Sequence, residues 1–137
     1  MTRAFWPTLL RLALLLALAA SAALTIDYLS TNPAFCAGAG GCRDVRRSGF
    51  SYLGPVPLPA FGLLAFASVL SLSLGSPALR RAANWLAVLG AVLGGALIVV
   101  QALVVRAFCW LCMVADVSAI VAGAAGLALV IGRLRDE

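Results

Sequence analysis

Four apolar runs and one polar interval organise this chain. The first run covers residues 8–28 and is interrupted early by Arg11. It is long enough to cross a bilayer, because about 20 helical residues span a ~30 Å hydrocarbon core. Residues 30–57 are polar and rich in turn formers, among them Asn32, Pro33, Gly38, Gly54 and Pro55. Within that interval Val45, Phe50 and Tyr52 are apolar points among polar ones, a mixture that fits a short amphipathic piece at the membrane interface. A short uncharged run at 58–74 ends at Gly75-Ser76-Pro77, with Arg80 and Arg81 beyond it. The third run covers 83–105 and the fourth covers 111–132. The pattern predicts an all-α membrane protein in one domain, 1–137. Its architecture is a four-transmembrane-helix bundle with a long outer loop between helices one and two.

Two details sharpen the bundle. Gly90 and Gly94 form a small-xxx-small face in the third run, and Gly123 and Gly126 add close-packing points in the fourth. The first run admits another reading, a signal peptide with Arg3 and Arg11 before an Ala/Leu stretch and Ala20-Ser21-Ala22 as a cleavage site. Its apolar character continues to Ile26, which favours a span.

Composition agrees with the membrane reading. Hydrophobic residues make up 64% and charged residues 11%, against roughly 45–50% and about 25% in soluble domains. The net charge is +5, carried by ten arginines and no lysine. No basic patch is interleaved with aromatics, so this excess points to topology and not to nucleic acid. Arg3 and Arg11, Arg80 and Arg81, and Arg133 and Arg135 fall on one side of a four-span protein. The positive-inside rule makes that side cytoplasmic and leaves both termini there. The long loop and the short connection at Arg106 then lie outside, although the loop carries three arginines of its own. The chain has no histidine, which removes the commonest general base and metal ligand.

The four cysteines form two pairs, Cys36 with Cys42 in the loop and Cys109 with Cys112 at the start of the fourth run. Four spans place both pairs on the outer, oxidising face. Cys109 and Cys112 share one face of a first helical turn and can be bridged. A helix N-terminus is electrically positive and favours a thiolate, and Arg106 stands one turn upstream. Such a pair suits thiol–disulfide exchange near a membrane-dissolved oxidant. Three alternatives stand beside this: a static disulfide, a four-thiolate zinc site and plain packing by small apolar side chains. A static bridge closing so short a loop gains little stability. The loop spacing is long for a zinc knuckle. Cys36 and Cys42 are joined by Ala-Gly-Ala-Gly-Gly, which permits either a structural staple or a mobile exchanging pair. Asp116, one turn beyond Cys112, is a carboxyl inside an apolar helix and hence a functional candidate. Pairing with Arg106 or snorkelling to the interface is its structural alternative.

In this order the residues resemble the vitamin K epoxide reductase family of membrane thiol oxidoreductases. The likeness rests on Cys36…Cys42, on Ser48 six residues later, on Pro57…Gly62 at the entry to the second run, and on Cys109-Trp110-Leu111-Cys112. The other four-span, quinone-linked family of thiol oxidants carries its pairs in the reverse order. The resemblance implies a bundle around a quinone pocket, with a quinone of ubiquinone, menaquinone or vitamin K type. Cys36 and Cys42 would take electrons from a thioredoxin-like (DsbA-like) partner. Cys42 would exchange with Cys109, and Cys112 would face the quinone. Ser48 would lie beside the loop cysteines and orient a sulfur, with a solvated serine or helix cap as its ordinary alternative. Phe108 and Trp110 would stack on or fence the quinone head, or serve as interface anchors.

Two departures bear on the substrate. Family members that hold the quinone by hydrogen bonds use an asparagine on the second span and a tyrosine four residues after the last cysteine. The second run here has no asparagine, and Asp116 takes the tyrosine's place. Vitamin K epoxide as a substrate therefore stays open. Bacterial relatives often carry a fused thioredoxin-like domain, and here the sequence ends at Glu137, so the partner is expected in trans. The C-terminus carries no endoplasmic-reticulum retention signal, which points to a bacterial inner membrane. The contrasting reading is a non-catalytic four-span protein, a transporter or assembly subunit, with structural disulfides.

Overall fold

The computed structural model describes residues 3–30 and 40–137, with backbone alone for 40–43. Cys36 lies outside the described residues, and Cys42 is placed by its backbone only. Helix α1 runs Phe5–Leu29 and α2 runs Gly40–Arg47. A two-stranded hairpin follows, β1 at Tyr52–Leu53 and β2 at Val56–Pro57, and then α3 at Leu58–Ser73. Helix α4 covers Pro77–Val100 and passes into a π-helical turn at Gln101–Val105. Helix α5, Trp110–Asp136, completes the chain.

Helix α1 buries Leu10, Ala13, Leu14, Ala17, Ala20, Ser21, Leu24 and Asp27. That is the three-and-four spacing of one helical face, the stripe that must meet a neighbour. Its partners are α3 on one side and α5 on the other, and α4 closes the ring. Helix α5 is the most enclosed of the four, wedged between α1 and α4. The meeting of α3 with α4 is the slightest of the four contacts, so the ring is loosest there.

Among the described residues, three helices are long and apolar enough to cross a membrane: Phe5–Leu29, Pro77–Val105 and Trp110–Asp136. Helix α3 is apolar but has 16 residues, about 24 Å of rise against a core of about 30 Å. It starts behind Pro57, with Pro59 in its first turn where a missing N–H costs nothing. At its far end Arg11 donates to the Ser73 carbonyl (3.0 Å) and Arg80 to the Gly75 carbonyl (2.9 Å), meeting carbonyls a helix leaves unsatisfied. These bonds put the N-terminus of α1, the C-terminus of α3 and the start of α4 at one end of the bundle.

The apolar run at 83–105 lies within a longer helical stretch, since α4 starts at Pro77, behind Ser76 in extended conformation. Ser-Pro is a helix-start signal. Arg80 and Arg81 therefore lie inside the helix's first turns, where it extends past the apolar stretch. The Gly90 and Gly94 face is only half an interface. A Cβ at Gly94 would lie 3.0 Å from the Asp116 carbonyl oxygen, whereas one at Gly90 would meet nothing. The close approach of α4 and α5 is instead made at Gly94, Gly123 and Gly126. A Cβ at Gly126 would fall 2.7 Å from the Asn84 carbonyl oxygen.

A short helix, α2, lies within the polar interval 30–57, and a hairpin follows it. Gly54 supplies the positive φ (66°) that a two-residue hairpin loop needs, and Pro55 follows it. Tyr52 pairs with Pro57 and Leu53 with Val56, and the Leu58 N–H donates to the Ser51 carbonyl at 2.8 Å. The hairpin thus hands the chain directly into α3.

Candidate active site

The two ends of the bundle are built differently. The arginine end packs solid around Leu10, Leu14, Val69, Ala83, Ala87, Ala122 and Ala125. At the other end the helices diverge around a cavity of about 280 Å³, near the lower bound of roughly 300 Å³ for small-molecule sites. All four long helices contribute wall, and α2 with its following loop closes the outer side through Val45, Ser48, Phe50 and Ser51.

Helix α5 enters this end at Cys109. That residue is its N-cap, and its Sγ accepts the Cys112 N–H at 3.4 Å. A sulfur here performs the service a serine or aspartate oxygen gives at most helix starts, at the positive end of the helix. Cys109 is 1% exposed and belongs to a small cluster with Leu24 and Leu111, against which Tyr28, Val45 and Cys112 pack. Cys112 lines the cavity and Cys109 does not. Asp116, one turn along the same face, lines it as well.

The approach to Cys109 is irregular backbone. Helix α4 widens into the π-helical turn, and Arg106 then takes the left-handed conformation (φ 56°), uncommon for a residue with a side chain. Such turns and outliers concentrate at functional sites. Their effect here is to bring Gln101 alongside α5. The Gln101 Oε1 accepts the Cys109 backbone N–H (3.1 Å), and its Nε2 donates to Asp116 Oδ2 (3.2 Å). Arg106 itself is exposed, and the described partner of the Asp116 carboxylate is Gln101.

The loop side is held by Tyr28. The Arg46 guanidinium donates to its carbonyl (2.9 Å) and lies 5.3 Å above its ring, while Tyr52 packs against that ring at 5.5 Å. These contacts dock α2 over the N-terminus of α5 and the π turn. Ser48 donates to the Val45 carbonyl (2.7 Å) and stands 3.3 Å from the Ser51 hydroxyl, which bonds the same carbonyl. Ser48 thus closes the C-terminal end of α2 and also lines the cavity. Phe108 is 53% and Trp110 50% exposed, and neither lines the cavity.

Sequence reasoning passed over Gln101, Asp27 and Tyr28. Asp27 is 2% exposed near the end of α1, beside the loop helix's anchor. Its signal was present, since a carboxyl in an apolar run is expensive.

A family model describing the vitamin K epoxide reductase family matches residues 8–127. The chain belongs to the vitamin K epoxide reductase family. No curated protein and no solved structure matches it. Members of the vitamin K epoxide reductase family are membrane oxidoreductases that link thiols with quinones. The cavity suits such a group. It is apolar on most of its wall, as a ring and isoprenoid tail require. A few polar side chains, among them Ser21, Tyr28, Gln101 and Asp116, interrupt that wall beside Cys112.

Proposed function

We propose that this protein is a membrane dithiol oxidase. It draws electrons from a thioredoxin-like partner through Cys36 and Cys42 to Cys109 and Cys112, and from there to a quinone. One observation carries the reading: the two sulfurs of the Cys-x-x-Cys pair have different surroundings. Cys112 lines the cavity, and Cys109 is buried behind it in the cluster that includes Val45 of α2. Val45 lies one turn after Cys42 on that helix, and its packing in the Cys109 cluster supports exchange between Cys42 and Cys109.

The exchange proceeds by sulfur chemistry alone. A reduced Cys42 thiolate attacks the Cys109 sulfur of a Cys109–Cys112 disulfide. The S–S bond breaks, a Cys42–Cys109 disulfide forms and Cys112 leaves as the thiolate, which takes up the proton released by the Cys42 thiol. Cys36 then attacks Cys42 and releases Cys109. A quinone held by the cavity wall and Cys112 supplies a two-electron, two-proton acceptor. The N-terminal end of α5 stabilises negative charge on sulfur while the pair is open. Ser48 holds the end of α2 and with it the approach of Cys42. Phe108 and Trp110, at the rim, anchor this end in the interface.

The topology that goes with this reading has four spans, α3 included. The Arg11–Ser73 and Arg80–Gly75 bonds support it, since together they gather the start of α1, the end of α3 and the start of α4 at a common end rich in arginine. That end faces the cytoplasm with both termini, and the cysteines face outward from a bacterial inner membrane.

The test is quinone reduction by the purified protein in liposomes, given a reduced thioredoxin-like protein and either ubiquinone or a menaquinone analogue. Turnover is expected with one of the two, and Cys112→Ala is expected to reduce it to background while the protein still inserts. Absence of turnover with both quinones, or turnover in Cys36→Ala and Cys112→Ala equal to that of the parent protein, sinks the proposal.

A further inference from the structure

Gln101 is a neutral amide at the end of a long apolar helix, and it is 4% exposed. Its orientation is determined by chemistry. The Cys109 backbone N–H can only donate, so the amide oxygen must face it; the amide nitrogen then faces Asp116. Asp116 Oδ2 is thereby occupied as an acceptor, and Oδ1 is the oxygen left to carry a proton. Asp116 is 8% exposed and lines the cavity one helical turn from Cys112. A carboxyl held at this depth is costly, and a same-shape apolar pair would pack there without that cost. Elsewhere α4 and α5 meet closely at Gly94, Gly123 and Gly126, against Ala87, Ala91 and Ala119.

We infer that Asp116 is the proton carrier between Cys112 and the quinone, and that Gln101 is the residue that positions it. The inference rests on the dithiol-oxidase reading. When Cys109 and Cys112 close their disulfide, two electrons and two protons leave the pair, and a quinone takes up the same number of each. Asp116 gives its proton across the cavity and regains one from the Cys112 thiol, ending the cycle as it began it. The second thiol proton reaches the acceptor by another route. Gln101 also bonds the peptide of Cys109, so the carboxyl is aimed from the same side chain that holds the helix start carrying the sulfurs.

Two measurements on the full chain in liposomes test this. In the first, the pair is reduced and its reoxidation by added ubiquinone or menaquinone analogue is timed. Asp116→Asn, which keeps an acceptor for Gln101, is expected to slow reoxidation at least ~100-fold, within the range for a lost general acid or base. Asp116→Glu is expected to recover most of it, and Gln101→Leu to slow it about 10-fold, as a misaimed acid would. In the second, infrared difference spectra are taken between disulfide and dithiol forms without quinone. A carboxyl band that vanishes in Asp116→Asn is expected to differ between the two forms and to shift in Gln101→Leu. Thermal unfolding of each variant separates misfolding from lost chemistry. If the parent protein oxidises and Asp116→Asn keeps within ~3-fold of it, the proton role is overturned while the oxidase reading stands. If the parent protein is not reoxidised by either quinone, the oxidase reading fails. The inference falls with it, whereas with an active parent protein a redox-insensitive Asp116 band overturns the inference alone.

Discussion

The arginine end and the cysteine end of this bundle are made by the same four helices to opposite specifications. At the arginine end Gly123 and Gly126 let α5 lie against the α4 backbone, and alanines fill what remains. The Arg11–Ser73 bond there closes the end of α3. At the cysteine end the same α4 leaves regular geometry, opens a cavity and presents Gln101. Close packing by small residues is the main source of helix association in lipid, where burying apolar surface gains nothing. The solid end therefore holds the helices in register so that the other end can remain hollow, with buried polar groups and irregular backbone.

Glycine substitutions break this comparison most directly. Gly126→Leu drives side-chain atoms into the Asn84 carbonyl, and a loss of about 2–3 kcal/mol is expected in thermal unfolding in detergent. Gly90→Leu, on the neighbouring helix but facing the cavity, meets no atom within 4 Å. It is expected to keep or gain stability, by up to about 1 kcal/mol of helix propensity. Filling the cavity should at the same time raise the quinone KM about 10-fold, a loss of about 1.4 kcal/mol in binding. Equal damage from the two substitutions would mean that the ends do not differ as described.

Arg46→Met removes one carbonyl bond and one cation–π contact from α2. The expected cost is about 1–2 kcal/mol, read as faster amide exchange in Gly40–Arg47 while α1 and α5 keep their protection. The smallest effect belongs to Trp110→Ala. With its ring outside the cavity, quinone KM is expected to change less than about 2-fold, where a residue stacked in a site costs at least about 1 kcal/mol. A large effect would return Trp110 to the quinone head.

Much of the scaffold was legible. The 8–28, 58–74 and 111–132 runs lie close to α1, α3 and α5, because an apolar stretch bounded by turn residues leaves little choice of structure. The start of α4 lies outside its apolar run, since apolarity marks the lipid-facing part of a helix and Ser76-Pro77 begins it beyond that part. Cys112 and Asp116 could be paired on one face from their spacing alone. Gln101 could not be placed with them, since it reaches Asp116 across 15 residues through a π-helical turn that no periodicity announces. The hairpin escaped notice because its strands have two residues each, too few for an alternating pattern.

The outer wall of the cavity belongs to α2 and the loop after it, the same element that bears Cys42. Whatever fills the cavity must therefore touch the helix that carries Cys42. Linkage makes that touch reciprocal: an occupant that steadies α2 is itself held more tightly while α2 is docked. Loading of the cavity and docking of α2 are in this way two readings of one equilibrium, and neither can be tuned without moving the other.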